Sequence, residues 1–279
     1  MHKPELNVFD IFVDILQNGP CGGKGQVVII AFMKNSKTLL GMLGLAGVFM
    51  AQTVSSSPGV DLPVTGWMVV GGKDQKFGPK EEGGKILFSG EGFGAKGKSL
   101  AAFFPSTEVG EGQTLRLKTS VRFAGVAGTG NFRFGLFKKR SRDHSRGWLG
   151  YCAYAGFDKA FPKGALLARL PGNDGDFSGM KGAKGEDAAR NLGESMAGSK
   201  TMKDGVYVLE MAVKKSGGAM EIEASLDGAG DVPMTMVRYS AKDSEPATSS
   251  FDTIGFNSHE VLSADSVEFS DASVTLQGP

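Results

Sequence analysis

Apolar side chains recur at every second position along much of this chain, between dense clusters of Gly and Ser. Residues 113–123 set Leu115, Leu117, Thr119, Val121 and Phe123 on one side and Arg116, Lys118, Ser120 and Arg122 on the other. Such alternation predicts an antiparallel strand with one buried face, because successive strand side chains point to opposite faces. Residues 131–137 repeat it with Phe132, Phe134 and Leu136. Residues 206–213 and 219–226 alternate on either side of Gly217-Gly218, which predicts a hairpin whose turn needs positive φ. Residues 235–240, 253–256 and 266–276 complete the series. Many short strands separated by turn signals predict an all-β chain folded as a sandwich or barrel. Residues 158–204 depart from the pattern: Gly, Lys, Asp and Ala dominate, so this stretch is read as a loop-rich insertion, with a turn or two of helix over 185–192.

The beginning of the chain has a different periodicity. Met33 is followed by Lys34 and Lys37, then by an apolar, Gly-rich run from Leu39 to Ala51 and a polar stretch ending near Ser55. That order of basic, apolar and polar segments predicts a signal peptide over 33–55, with cleavage near 51–55. The run is shorter than the eighteen or so residues of a stable span, so no transmembrane anchor is expected in the mature chain. Residues 1–32 then read as a mis-assigned leader, residues 56–279 as a single domain, and the location as secreted, periplasmic or cell-envelope. Cleavage after Ser55 removes Lys3, Lys24, Lys34 and Lys37 against Glu5, Asp10 and Asp14, from totals of 31 basic and 30 acidic residues. The mature net charge is therefore zero, and bulk electrostatics predict no nucleic-acid partner. Cys21 leaves with the leader, and Cys152 is read as a small buried hydrophobe.

Several segments carry a family resemblance. They are Trp67, Gly83-Gly84-Lys85-Ile86-Leu87-Phe88, Phe132-Arg133-Phe134-Gly135-Leu136-Phe137, Gly147-Trp148-Leu149-Gly150-Tyr151, Phe251-Asp252-Thr253-Ile254-Gly255-Phe256 and the stretch 267–274. Over most of residues 64–276 the chain resembles the concanavalin A-like lectin/glucanase domains of secreted bacterial proteins. The resemblance implies a jelly roll, a two-sheet antiparallel β-sandwich often attached to carbohydrate binding or cleavage. Fold alone establishes neither activity.

The motif that looks most like catalytic machinery is set aside on context. Gly92-Phe93-Gly94-Ala95-Lys96-Gly97-Lys98-Ser99 satisfies G-x-x-x-x-G-K-S, the phosphate-cradling loop. That loop needs a helix behind it, and here Ser99-Leu100-Ala101-Ala102-Phe103-Phe104 runs straight into Pro105. In a chain with 42 glycines the match is compositional, so no nucleotide is expected. Glu221 and Glu223 come nearest to the paired carboxylates of a sandwich glycosidase. They alternate with Ile222, Ala224 and Leu226, which places both on a solvated face. Asn173-Asp174-Gly175-Asp176 offers oxygen ligands without the distal bidentate Glu of a calcium loop. No catalytic constellation, metal site or cofactor is therefore read from the sequence.

The strongest binding signal is the basic run Lys138-Lys139-Arg140-Ser141-Arg142-Asp143-His144-Ser145-Arg146, followed by Trp148, Tyr151, Tyr154 and Phe157. Rings offer flat faces to sugars, and Arg pairs bidentately with carboxylate or sulfate. The candidate ligand-binding residues are Arg140, Arg142, His144, Arg146, Trp148, Tyr151 and Tyr154. Strand parity puts Trp148 and Tyr154 on one face and Tyr151 and Phe157 on the other. The expected function is a secreted, non-catalytic carbohydrate-binding sandwich whose partner is a polysaccharide or glycan, acidic in character. A glycan-active hydrolase or lyase of the same fold is the second expectation, and a structural or adhesion component of the cell envelope the third.

Overall fold

A computed structural model describes residues 59–70, 78–89, 99–156, 163–172, 188–197, 201–230, 232, 235–260 and 262–279. The leader, the signal peptide, the glycine-rich match up to Lys98, Phe157 and Asn173–Asp176 lie outside the described residues.

Fifteen strands are described. They are β1 (Val60–Leu62), β2 (Thr65–Val70), β3 (Lys80–Glu82), β4 (Lys85–Ser89), β5 (Ser99–Glu108), β6 (Thr114–Ala124), β7 (Gly130–Lys138) and β8 (Leu149–Gly156). The rest are β9 (Leu166–Arg169), β10 (Ala189–Gly193), β11 (Gly205–Ser216), β12 (Ala219–Ala229), β13 (Thr235–Asp243), β14 (Ser250–Glu260) and β15 (Ser266–Gln277). They pair antiparallel into two sheets. One runs β13-β12-β11-β6-β15-β4-β3, with β1 also on β15, and the other runs β10-β9-β8-β7-β14-β5-β2. This is the two-sheet antiparallel sandwich that the alternation and the resemblance predicted. The expected hairpin joins β11 to β12, with Ser216 opposite Ala219 and φ of 60° and 79° at Gly217 and Gly218. Positive φ at both central residues matches the right-handed twist of the flanking strands.

The eight-stranded sheet has the one-sided burial its sequence foretold. In β6, Leu115, Leu117, Thr119, Val121 and Phe123 are buried, while Lys118 and Arg122 are exposed. The inward faces of both sheets meet in one core, where Trp67, Phe132, Phe256 and Phe269 form a connected set of rings; Phe256 and Phe269 lie 4.5 Å apart. Aromatic contacts of this kind add to the area they bury.

The seven-stranded sheet differs, for β7, β8 and β9 within it are buried on both faces. Every residue of β7 except Lys138 is buried, and every residue of β8 except Leu149. Its outer face carries a second apolar cluster that includes Val70, Ala101, Phe103, Phe137, Trp148, Cys152, Tyr154, Ala165 and Leu167. Gly135 is part of this arrangement: a Cβ there would collide with the Phe137 ring and the Tyr151 carbonyl.

This two-sided burial corrects the reading of 158–204. The stretch supplies β9 and β10, two strands of the seven-stranded sheet, and residues 189–192, where helix was expected, are strand. Leu166-Leu167-Ala168-Arg169 is buried at every position. A strand covered on both faces has no reason to alternate, which is why period two failed to reveal it.

Candidate functional site

The basic run forms the connection between β7 and β8, and it is braced from beneath. Trp148 is fully buried; its indole N–H donates to the Ser141 carbonyl (2.9 Å), and its ring lies 5.9 Å from that of Phe137. Its backbone N–H donates to the Ser145 carbonyl at 3.2 Å. Arg169 of β9, only 2% exposed, reaches up under the loop: Nε donates to the Trp148 carbonyl (2.9 Å) and Nη2 to the Ser145 carbonyl (3.1 Å). A buried guanidinium must be satisfied by acceptors, and here those acceptors are loop carbonyls. Gly147 closes the turn at φ 71°, and a Cβ there would approach Arg140 Cδ to 3.0 Å.

At its other end the loop is tied down by charge. Asp252 of β14 is 4% exposed and receives Lys138 Nζ (3.0 Å), Lys139 Nζ (3.2 Å), the Lys139 backbone N–H (2.9 Å) and the Thr253 hydroxyl (2.8 Å). Burial pushes the Asp252 carboxyl up, but the hydrogen bonds from Lys139, Lys138 and Thr253 outweigh it and hold the group below its usual range. Lys138 and Lys139 are thus engaged by an internal counter-ion. The exposed cationic residues of the loop are Arg140, Arg142 and Arg146, with His144 exposed among them. Arg142 lies over Phe103 of β5, its Cζ 4.8 Å from the ring centroid, and Lys139 Nζ is 5.1 Å from the same centroid.

The aromatic members of the predicted set lie elsewhere. Tyr151 and Tyr154 are each 1% exposed, like Trp148 closed off from solvent. The parity of the sequence is kept: Trp148 and Tyr154 belong to the outer-face cluster and Tyr151 to the core between the sheets. The Tyr151 hydroxyl donates to Asp243 Oδ2 (3.1 Å). Tyr154 lies beneath Arg133, whose Cζ is 4.1 Å from its ring centroid. The four loop residues and the three rings therefore do not share one surface. Burial also pushes the Cys152 thiol up to about 12, against the pull of Arg133 and Arg169, which leaves it protonated and unsuited to nucleophilic attack.

Sequence reasoning missed the residues that hold the loop, namely Arg169, Asp252 and Phe103. It also passed over a polar row on the outer face of the seven-stranded sheet. Asn257, Arg133 and Tyr154 stand in register across β14, β7 and β8. Arg133 Nε donates to Asn131, and Asn257 Nδ2 donates to Ser99 Oγ at 2.9 Å. The signal was present: if Phe132 and Phe134 face the core, Asn131 and Arg133 must face outward.

The remaining readings are resolved by position. Glu221 and Glu223 stand on the solvent side of β12 while Ile222, Ala224 and Leu226 enter the core. A shallow groove of about 230 Å³ on that side includes Arg116, Glu210, Glu223 and Arg238, with Arg116 ion-paired to Glu210 and Arg238 to Asp227. Among the described residues, no cluster of three or more His, Cys, Asp or Glu side chains could hold a metal. No described helix is long and apolar enough to cross a membrane. Val60 and Met196 are the large apolar side chains exposed among the described residues, two scattered positions rather than a patch.

No protein-family model matches the chain, and no curated protein does so. Solved structures similar to it include the carbohydrate recognition domain of Emp46p in its metal-free form. That likeness has 12% identity over 75% of this chain and 87% of that one, with a TM-score of 0.43. The exoplasmic/lumenal domain of VIP36, bound to Ca2+ and Man3GlcNAc, is 11% identical over 75% of this chain and 82% of that one, with a TM-score of 0.42. Winged bean acidic lectin in complex with methyl-alpha-D-galactose is 7% identical over 76% and 92%, with a TM-score of 0.42. The architecture described above rests on the chain's own strand pairings.

Proposed function

We propose that this protein is an exported, non-catalytic carbohydrate-binding β-sandwich that holds acidic polysaccharide on the loop between β7 and β8. The observation that carries this reading is the loop's construction. Arg140, Arg142, His144 and Arg146 are exposed on a segment whose carbonyls are held by Trp148 and Arg169 and whose lysines are held by Asp252. A cationic loop ordered before its ligand arrives avoids much of the ordering cost of binding. Arginine suits anionic sugar substituents because its fork can meet two oxygens at once.

The test is retardation of the full chain in native gels containing polygalacturonate, dextran sulfate or neutral dextran, at low and high salt. Retardation by an anionic polymer is expected to weaken with salt. In Arg140→Ala/Arg142→Ala/Arg146→Ala it should weaken by at least roughly tenfold, with the unfolding midpoint unchanged. Equal retardation of the triple variant and the parent would remove the loop from the reading. Export is part of the same proposal, and N-terminal sequencing of the secreted product should start near residue 56. A product that retains Asn7 or Phe9 would overturn it.

A further inference from the structure

We infer that Phe103 is a positioning residue that turns Arg142 into a fixed fork for an oxyanion on the polysaccharide, a proposal that rests on the functional reading above. Three observations meet at this point. The Arg142 guanidinium lies over the Phe103 ring with Cζ 4.8 Å from its centroid, yet the Arg142 side chain remains exposed. Phe103 is itself only 5% exposed, set in the outer-face cluster that also contains Phe137 and Trp148. Lys139 approaches the same ring at 5.1 Å, but its ammonium is 3.2 Å from Asp252 and has its counter-ion already.

The chemistry follows from planarity. The guanidinium N–H bonds lie in its own plane, so the Arg142 plane, proposed to settle parallel to the ring that its Cζ overlies, directs those bonds sideways rather than into the ring. The attraction between a cation and the negative face of an aromatic ring favours this placement. An acceptor with two adjacent oxygens, a uronate carboxylate or a sulfate ester, can then approach in the guanidinium plane and receive two parallel bonds. Lys139 lacks this geometry, because an ammonium is a point charge with no fork. The loop thus divides its cations: Lys138 and Lys139 fasten it, and Arg142 reads the ligand.

The experiment measures affinity of the full chain for polygalacturonate, dextran sulfate and neutral dextran in Phe103→Leu, Phe103→Tyr, Arg142→Lys and Arg142→Ala. Phe103→Leu, which removes the ring, should weaken anionic binding by roughly three- to fivefold. Phe103→Tyr, which keeps it, should bind as the parent does. Arg142→Lys should lose as much as Arg142→Ala, a result that a simple need for positive charge does not produce. Neither Arg142 substitution alters the buried cluster, so the fork is tested even if Phe103→Leu is unstable. Binding to polygalacturonate alone would support a carboxylate as the oxyanion, and binding to dextran sulfate alone a sulfate ester. Parent-like affinity in Phe103→Leu or in Arg142→Lys, together with loss in the triple-arginine variant, would overturn the positioning role and leave the proposed function standing. Absence of binding by the parent to both anionic polymers would overturn both.

Discussion

Asp243→Ala is expected to lower the unfolding free energy by roughly 3 kcal/mol, seen as a lower urea midpoint with an unchanged slope. Asp243 ends β13, at one edge of the eight-stranded sheet, and is 1% exposed. Its carboxylate accepts from Arg190 of β10, at the facing edge of the other sheet, from the Tyr151 hydroxyl of β8 (3.1 Å) and from the Glu245 N–H (3.1 Å). Arg190 also donates to the Glu245 carbonyl at 2.8 Å. One carboxylate thus fastens three strands across the open side of the sandwich. An alanine there leaves the Tyr151 hydroxyl buried without this acceptor, and burial of an unpaired polar group is the expensive event. Tyr151 has no ionised alternative, since burial and then the nearby Asp243 carboxylate hold its phenol well above the usual value. The loss sits at the low end for a broken buried pair because the Arg190 side chain is 35% exposed and water can take over part of its solvation. Asp243→Asn, which keeps an acceptor for Tyr151, should cost less. A loss below about 1 kcal/mol for Asp243→Ala, the level of a surface ion pair, would show that the clamp does not hold the edge.

Trp148→Ala should be at least as damaging, at about 3–5 kcal/mol, because it removes a fully enclosed indole from the outer-face cluster. It also removes the N–H that holds the Ser141 carbonyl. The local consequence is more specific than the global one. Once the brace is gone, the loop should open often enough for trypsin to cut native protein after Arg140, Arg142 or Arg146, sites resistant in the parent. Trp148→Phe should recover most of the stability and less of the protease resistance, since it restores apolar contact but not the hydrogen bond. Anionic-polymer binding should fall in Trp148→Ala even though the indole is enclosed in the outer-face cluster and reaches no solvent. The opposite pattern, unchanged stability with selective loss of neutral-sugar binding, is what an exposed stacking platform would give, and it would refute the buried role.

Much of the architecture was legible because one-sided burial writes itself into a sequence as alternation. The buried set of β6 is Leu115, Leu117, Thr119, Val121 and Phe123, and the solvated sides of Glu221 and Glu223 follow from the same rule applied to β12. Gly217-Gly218 announced the β11–β12 turn for an equally local reason, the need for positive φ. Where both faces are covered the rule has nothing to read, and β9 passed for loop on that account.

The sequence by itself therefore determined the all-β class, the pairing of β11 with β12, and the position of a basic loop ahead of an aromatic strand. Each depends on neighbours a few residues apart. Only the tertiary structure decided what those aromatics do. Parity separates Tyr151 from Tyr154, but it does not say that both faces of their strand are covered, so rings that looked available for a sugar are packing and hydrogen-bonding groups instead. It decided also which cations of the loop meet the buried Asp252 carboxylate and which side chains are exposed to solvent. Asp252 and Phe103 lie far along the chain from Lys139 and Arg142, and meet them only because β14 pairs with β7, and β5 with β14, in the seven-stranded sheet. Charges and rings are visible in one dimension. Their partners are chosen in three, because electrostatic and aromatic contacts act over a few ångströms of space whatever the separation in sequence.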